Sequence, residues 1–303
     1  MIRIGVIGST CIDYIKIKNE KRYKKFFGGI IYITTALAYL FKNKGIIYPI
    51  TKIEDKYRKD YIKIYEQYGN ISQEGIYREN KKTNIVKLFY DENNKMRQEK
   101  SILESSSISY NEISPFLDKL DFLVITYISG YDINNNTLQR IRENYKKIIF
   151  GDIHSYIYKK ESNKVRGFKT IKEPDKWIKN FDIVQGSELE WEILLRKRVK
   201  KSLLKEESIN KKILIFREYY KNLNHKSLTA LVTLGGDGAF LFSENNNYYV
   251  KGKKVKVVDT TGCGDTFSAA FIFSYLSGRS LKNSLKFANK IASRKALVRG
   301  LLF

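Results

Sequence analysis

Short β-branched apolar runs alternate with helix-length amphipathic runs along most of the chain. Residues Ile2–Ile7 predict a buried first strand, Ile31–Phe41 an apolar helix and residues 45–50 the next strand. The pattern returns as a strand at Phe122–Thr126, a helix near 136–145 and a strand at 148–150. It returns again as a strand at 181–184, a helix from about Glu188 and a strand at 228–234. Alternation of this kind predicts βαβ units, an α/β fold with a mainly parallel sheet covered by helices on both faces. Two stretches break it: residues 13–27 and 84–100 read as strands without companion helices, and Asp91-Glu-Asn-Asn94 supplies a hairpin turn. Such strands build either an ordinary edge hairpin or a small sheet standing over a cleft as a lid.

Composition narrows the class. A chain of 303 residues, 43% of them apolar, buries a core without disulfide staples, and residues 1–303 are expected to form one domain. The two cysteines, Cys11 and Cys263, lie far apart and in no metal-ligand spacing, which fits a reducing compartment. The N-terminal apolar run is too short for a signal peptide and the apolar stretch 30–41 too short to span a bilayer, so a cytoplasmic protein with no membrane partner is expected. The formal charge of +24 suits an anionic partner, but the lysines are scattered and runs such as Arg196-Lys-Arg-Val-Lys-Lys201 read as solvated helix faces. No nucleic-acid-binding signature accompanies the charge, so nucleic acid is not the expected partner.

The chemistry concentrates in Val257-Val-Asp-Thr-Thr-Gly-Cys-Gly-Asp-Thr-Phe-Ser-Ala-Ala-Phe271. A β-branched run ends at Asp259, a glycine turn follows, and a helix of small residues opens near Asp265 and stops near Gly278. Unpaired N–H groups at a helix start bind anions, and glycines at 262 and 264 let a phosphate approach the backbone. A carboxylate in the same turn can take the proton of an attacking hydroxyl. Taken alone, the segment also reads as a structural turn in which Asp265 merely complements the helix dipole. A Walker-type loop is absent.

This segment resembles the second signature of the ribokinase-like (PfkB-type) carbohydrate kinases, Asp-Thr-x-Gly-Ala-Gly-Asp before a small-residue helix, with Cys263 in place of the alanine. The resemblance implies a three-layer sandwich with a small β-sheet lid. It implies a catalytic base at Asp265 and an anion hole at Gly262, Cys263 and Gly264. It places Asp259 and Thr261 where many family members bind a monovalent cation such as K⁺. Other segments follow in family order. Ser187-Glu-Leu-Glu190 reads physically as a capping box; by resemblance Glu190 helps organise Mg²⁺, with Ser187 where the family has asparagine. In Leu231-Val-Thr-Leu-Gly-Gly-Asp-Gly238 the resemblance puts Thr233, Gly235 and Gly238 beside the nucleotide, and Asn289 near the adenine. Asp13, at the end of the first strand region, and the pair Gly28 and Gly29 before the helix would hold the acceptor; the asparagine that often follows the pair is missing from Ile30-Ile-Tyr-Ile33. Asp152 and His154 read as a loop aspartate with a nearby surface histidine, although Asp152 could face a cleft.

The expectation is therefore an ATP- and Mg²⁺-dependent kinase acting on a hydroxyl of a sugar or related polyol. A nucleoside or sugar-phosphate kinase, or a catalytically silent nucleotide-binding relative, shares the same motifs. Lids in this family often serve as dimer interfaces, which allows a homodimer.

Overall fold

The computed structural model describes residues 1–17, 21–90, 96–161, 165–195, 208–223, 225 and 227–301. The turn at 91–94 and the basic run 196–201 lie outside them. The strands are β1 (Ile2–Ile7), β2 (Thr10–Ile17), β3 (Lys24–Gly29), β4 (Gly45–Glu54), β5 (Ile76–Glu79), β6 (Asn84–Tyr90), β7 (Met96–Ile102), β8 (Phe122–Thr126), β9 (Ile148–Asp152), β10 (Ile183–Ser187), β11 (Thr229–Thr233), β12 (Gly238–Phe242) and β13 (Asn247–Lys251). The helices are α1 (Ile31–Phe41), α2 (Asp55–Glu66), α3 (Tyr110–Leu117), α4 (Asn135–Asn144), α5 (Pro174–Ile178), α6 (Glu188–Leu194), α7 (Ile209–Asn222), α8 (Cys263–Leu276) and α9 (Leu281–Lys295).

Nine strands form the main sheet in the order β13-β12-β11-β10-β9-β8-β1-β4-β5. From β5 to β11 every neighbouring pair is parallel, and β12 and β13 close one edge in antiparallel fashion. The strands read as unbroken apolar runs because both faces are covered. In β8, Phe122 and Val124 pack into one core with α1, α8 and α9, while Leu123 and Ile125 point into the other, which α3, α4 and α6 line. The period-2 alternation of a strand thus serves two cores at once. Among the described residues no helix is long and apolar enough to cross a membrane.

The residues that broke the βα alternation build a second sheet, ordered β3-β2-β6-β7. Its β2–β6 pair is parallel and the two outer pairs are antiparallel. The element ends differ from the sequence expectation by a few residues. β2 starts at Thr10 and β7 runs to Ile102, and the strand expected at 181–184 begins two residues later and reaches Ser187. Beneath this sheet Tyr57, Tyr61 and Tyr65, one helical turn apart on α2, pack with Ile12, Ile31 and Ile53. The Tyr61 hydroxyl donates to the Cys11 carbonyl at 2.6 Å and so pins β2 where it leaves the main body.

Candidate active site

The C-terminal ends of β1, β9, β10 and β11 all open on one side of the main sheet, under the small sheet. Between them lies a cleft of about 450 Å³. Ligand crevices of open parallel sheets form at this end because the loops there diverge.

Helix α8 supplies the floor. Its N-cap, Gly262, has φ +75°, and a Cβ there would lie 2.5 Å from the Tyr32 ring, so the turn requires glycine twice over. The Cys263 N–H is already bonded to the Thr260 carbonyl at 3.1 Å. The Gly264 amide lies in the first turn of the helix, and nothing stands within 4 Å of the Gly264 Cβ direction. The open side of the turn therefore offers an anion backbone N–H groups rather than a charged side chain.

Asp265 is the third residue of α8, buried, and its Oδ1 has no hydrogen-bond partner. Burial pushes its carboxyl up to about 7, against the pull of its own backbone N–H and of the Lys295 ammonium. An orphaned buried carboxylate oxygen at the wall of a cleft is a position for a donor brought by a ligand. Lys295 is itself fully buried on α9 and donates to the Val298 carbonyl at 3.2 Å.

Four more carboxylates line the same cleft: Asp13, Glu99, Asp152 and Glu190. Asp13 projects from β2, is buried, and accepts from the Cys11 thiol at 3.1 Å. Burial raises it to about 7, with Glu99 and Asp265 adding to the rise. Gly28 lies behind it rather than on the wall; a Cβ there would come within 2.2 Å of Asp13 Oδ2. Gly29, on the wall, has φ +72° and passes so close to the Ser9 carbonyl that a side chain would collide at 2.4 Å.

Glu190 satisfies both readings of its motif. The Ser187 N–H donates to its Oε2 at 2.7 Å and its own N–H donates to Ser187 Oγ at 3.3 Å, closing the capping box that starts α6. The half-buried side chain still faces the cleft, where burial raises it to about 7.

Asp152 and His154 correct the sequence expectation. Asp152 is 3% exposed at the end of β9, and the Gln185 amide, turned to satisfy both its ends, donates to its Oδ1 and Oδ2 at 3.0 and 3.2 Å. Burial, with Glu190 and Asp265 nearby, pushes it well up. His154 is not a surface residue: it lines the cleft at φ +37°, and burial lowers it to about 4, so it is neutral. A strand buried on both faces carries its last side chain into the crevice, which the sequence around Asp152 does not reveal.

The nucleotide-side positions converge. Thr233, Gly235, Gly238 and Asn289 line the same cleft, and Asn289 Nδ2 donates to the Lys251 carbonyl at 3.0 Å, tying α9 to the end of β13. Asp259 stands behind the wall. Its Oδ1 and Oδ2 accept the N–H groups of Thr261 at 2.9 Å and Gly300 at 3.4 Å. Thr261 Oγ1 is bonded to the Tyr90 hydroxyl of the small sheet at 2.9 Å.

Among the cleft residues not singled out from sequence are Tyr32, Tyr90 and Glu99. The Tyr32 hydroxyl is buried and without a partner. For Glu99 a signal existed, since Glu99, Ser101 and Leu103 alternate along one face of β7.

These features belong to the ribokinase fold. Ribokinase of Thermotoga maritima superposes with a TM-score of 0.73 over 100% of this chain and 95% of its own, at 22% identity. Ribokinase of Cryptococcus neoformans in complex with ADP superposes at 0.76 over 100% and 96%, at 17% identity. The chain belongs to the pfkB family: the profile described as pfkB family carbohydrate kinase matches residues 1–302. Haemophilus influenzae ribokinase is 28% identical over 144 residues, 45% of this chain and 44% of that protein, so the aligned part spans less than half the length of that curated relative.

Proposed function

We propose that this chain is an ATP-dependent kinase that transfers the γ-phosphoryl group to a hydroxyl of a sugar or related polyol. The observation that carries the reading is the buried, unpartnered Oδ1 of Asp265 in the first turn of α8, beside amides that open onto the cleft. The acceptor hydroxyl donates to this carboxylate and loses its proton to it as the oxygen attacks phosphorus. A carboxyl held near 7 is matched to that task, because it is substantially ionised at neutral pH and still basic enough to accept a proton. The Gly264 amide would meet the charge on the transferring group without having to reorganise. Thr233, Gly235, Gly238 and Asn289 would border the nucleotide, and Asp13 with Gly29 the acceptor. The small sheet would act as a lid, latched to the catalytic turn through Tyr90 and Thr261.

Mg²⁺ fits the donor set. Among the described residues no cluster of three or more His, Cys, Asp or Glu is placed to hold a metal, but Glu190 and Asp152 face the phosphate side, and Mg²⁺ commonly keeps its waters and uses one or two carboxylates. When bound it would neutralise charge on the donor phosphates. A monovalent cation such as K⁺ would sit at Asp259 and Thr261, whose side chains are engaged within their own turn and with Tyr90. We place the enzyme in the cytoplasm, working on small molecules, with the exposed face of the lid open to a second copy.

The test is Asp265→Asn. ADP release in the presence of polyols should fall by at least about 10³-fold, as expected when both proton acceptor and charge are removed, while ATP binding measured by calorimetry persists. Retained turnover would overturn the assignment of Asp265.

A further inference from the structure

The chain carries 56 lysines and arginines, yet among the described residues not one lines the cleft, whose wall holds five carboxylates. Two buried cations act on the site electrostatically, and neither reaches it. Arg166 is spent on backbone, donating from Nε to the Lys159 carbonyl at 3.0 Å and from Nη2 to the Ser129 carbonyl at 2.8 Å. Lys295 lies behind α8 and bonds the Val298 carbonyl.

The carboxylates divide between two ends of the cleft. Glu190 and Asp152 stand near the strand ends that meet the donor, where amides at the start of α8 offset negative charge. Asp13 and Glu99 project from the small sheet. Their strands are joined through β6: Asp13 pairs with Val86, Val86 with Ser101, and Leu88 with Glu99, so the two side chains stand on one face of the sheet, offset diagonally by one pleat. The other described residues lining this end are neutral: Tyr32, Tyr90, Ser101, Val86, Leu88 and Leu103. Glu99 has only the Ser101 hydroxyl, at 3.3 Å, as a hydrogen-bond donor among the described residues. Burial raises both Glu99 and Asp13, against the pull of the Arg166 guanidinium on Glu99, and Glu99 adds to the rise at Asp13.

We infer that Glu99 is a specificity-determining residue which, with Asp13, grips hydroxyl groups of an acceptor bearing no anionic group, and that phosphorylated or carboxylated acceptors are excluded. The inference rests on the phosphotransferase reading for the word acceptor, and on the carboxylate walls alone for the sign of charge. When ionised, two carboxylates are acceptors only, so a ligand between them must bring donors, and a polyol brings several. A phosphate ester brings like charge to a wall that no described lysine or arginine lines. The missing asparagine after Gly29 is thereby replaced as a polar contact by a side chain from the lid strand.

The experiment has a binding arm and a turnover arm. Calorimetry without nucleotide compares D-ribose, D-fructose, inosine and myo-inositol with ribose 5-phosphate, fructose 6-phosphate and inosine monophosphate. At least one uncharged compound should bind roughly 100-fold more tightly than its phosphate ester. Equal or tighter binding of the ester overturns the inference, as does failure of every uncharged compound to bind. ADP release then follows the compounds that bind. Glu99→Gln, which keeps the shape and removes the charge, should raise the acceptor KM roughly tenfold and shrink the discrimination against the ester by a similar factor, with KM for ATP unchanged. An unchanged acceptor KM and unchanged discrimination would remove Glu99 from the recognition. Binding of an uncharged polyol without any ADP release would instead count against the kinase reading and leave the charge selection standing.

Discussion

Asp265 must give up a proton to act, yet it sits where a negative charge is costly. Burial raises its carboxyl to about 7, while its own N–H and the Lys295 ammonium hold it down. The active form is the carboxylate, so kcat/KM should rise with pH through an acid limb with its midpoint near 7. Lys295→Met removes one of the two influences that favour ionisation, and the limb should move to higher pH by roughly half a unit to one unit. A kcat/KM profile between pH 5 and 9 measures both; an unmoved limb in the variant would take Lys295 out of the account. Glu190 illustrates the limit of single-residue reading. The Ser-x-x-Glu spacing makes it a helix cap, and only its place at the end of β10 makes the same carboxylate part of the cleft.

At the scale of elements, the start of α8 and the second sheet decide the geometry. Gly262 is left-handed and faces the Tyr32 ring, so Gly262→Ala combines backbone strain with a steric clash. The loss should be about 1–3 kcal/mol of stability, read as a lower Tm, together with a fall in kcat as the amides shift. The small sheet touches the catalytic turn through Tyr90 and Thr261 at 2.9 Å. Tyr90→Phe keeps the ring in its apolar cluster with Ile15 and Leu88 and removes only the hydroxyl. Acceptor KM should rise severalfold with Tm nearly unchanged, since one hydrogen bond is worth about 1 kcal/mol. A large drop in Tm instead would mean that the hydroxyl serves folding more than closure.

Over the whole molecule the charge is divided by place. The chain carries a net +24, while the described wall of the cleft holds acids and no lysine or arginine. Such a surface draws a polyanionic nucleotide toward the protein without selecting it. Raising the salt from about 50 to 500 mM should lower kcat/KM for ATP severalfold and leave kcat little changed, because screening weakens encounter rather than chemistry. An unchanged kcat/KM would make the charge purely compositional. The two-core architecture also places the site. Parallel strands deliver the ends of β9, β10 and β11 to one edge, where Asp152 and Glu190 meet Asp265 from α8 and Asp13 from the second sheet.

The sequence by itself determined the alternation that makes a parallel sheet, the break in it that makes a second sheet, and the glycine turn with Asp265. These depend on local period and backbone freedom, which neighbouring residues encode. It also placed Thr233 at a strand end and Glu190 just beyond one, because a strand end is visible where an apolar run stops, whereas Asp13, expected to end the first strand, lies inside β2 of the second sheet. Only the tertiary structure decided that Asp152 and His154 face inward, that Gly28 and Asp259 stand behind the wall, and that Tyr32, Tyr90 and Glu99 close the cleft from above. Those positions are set by which strands pair across a hundred residues or more, and pairing partners leave no mark in the local pattern. For the same reason the absence of any described cation from the cleft of so basic a chain could not be read from composition.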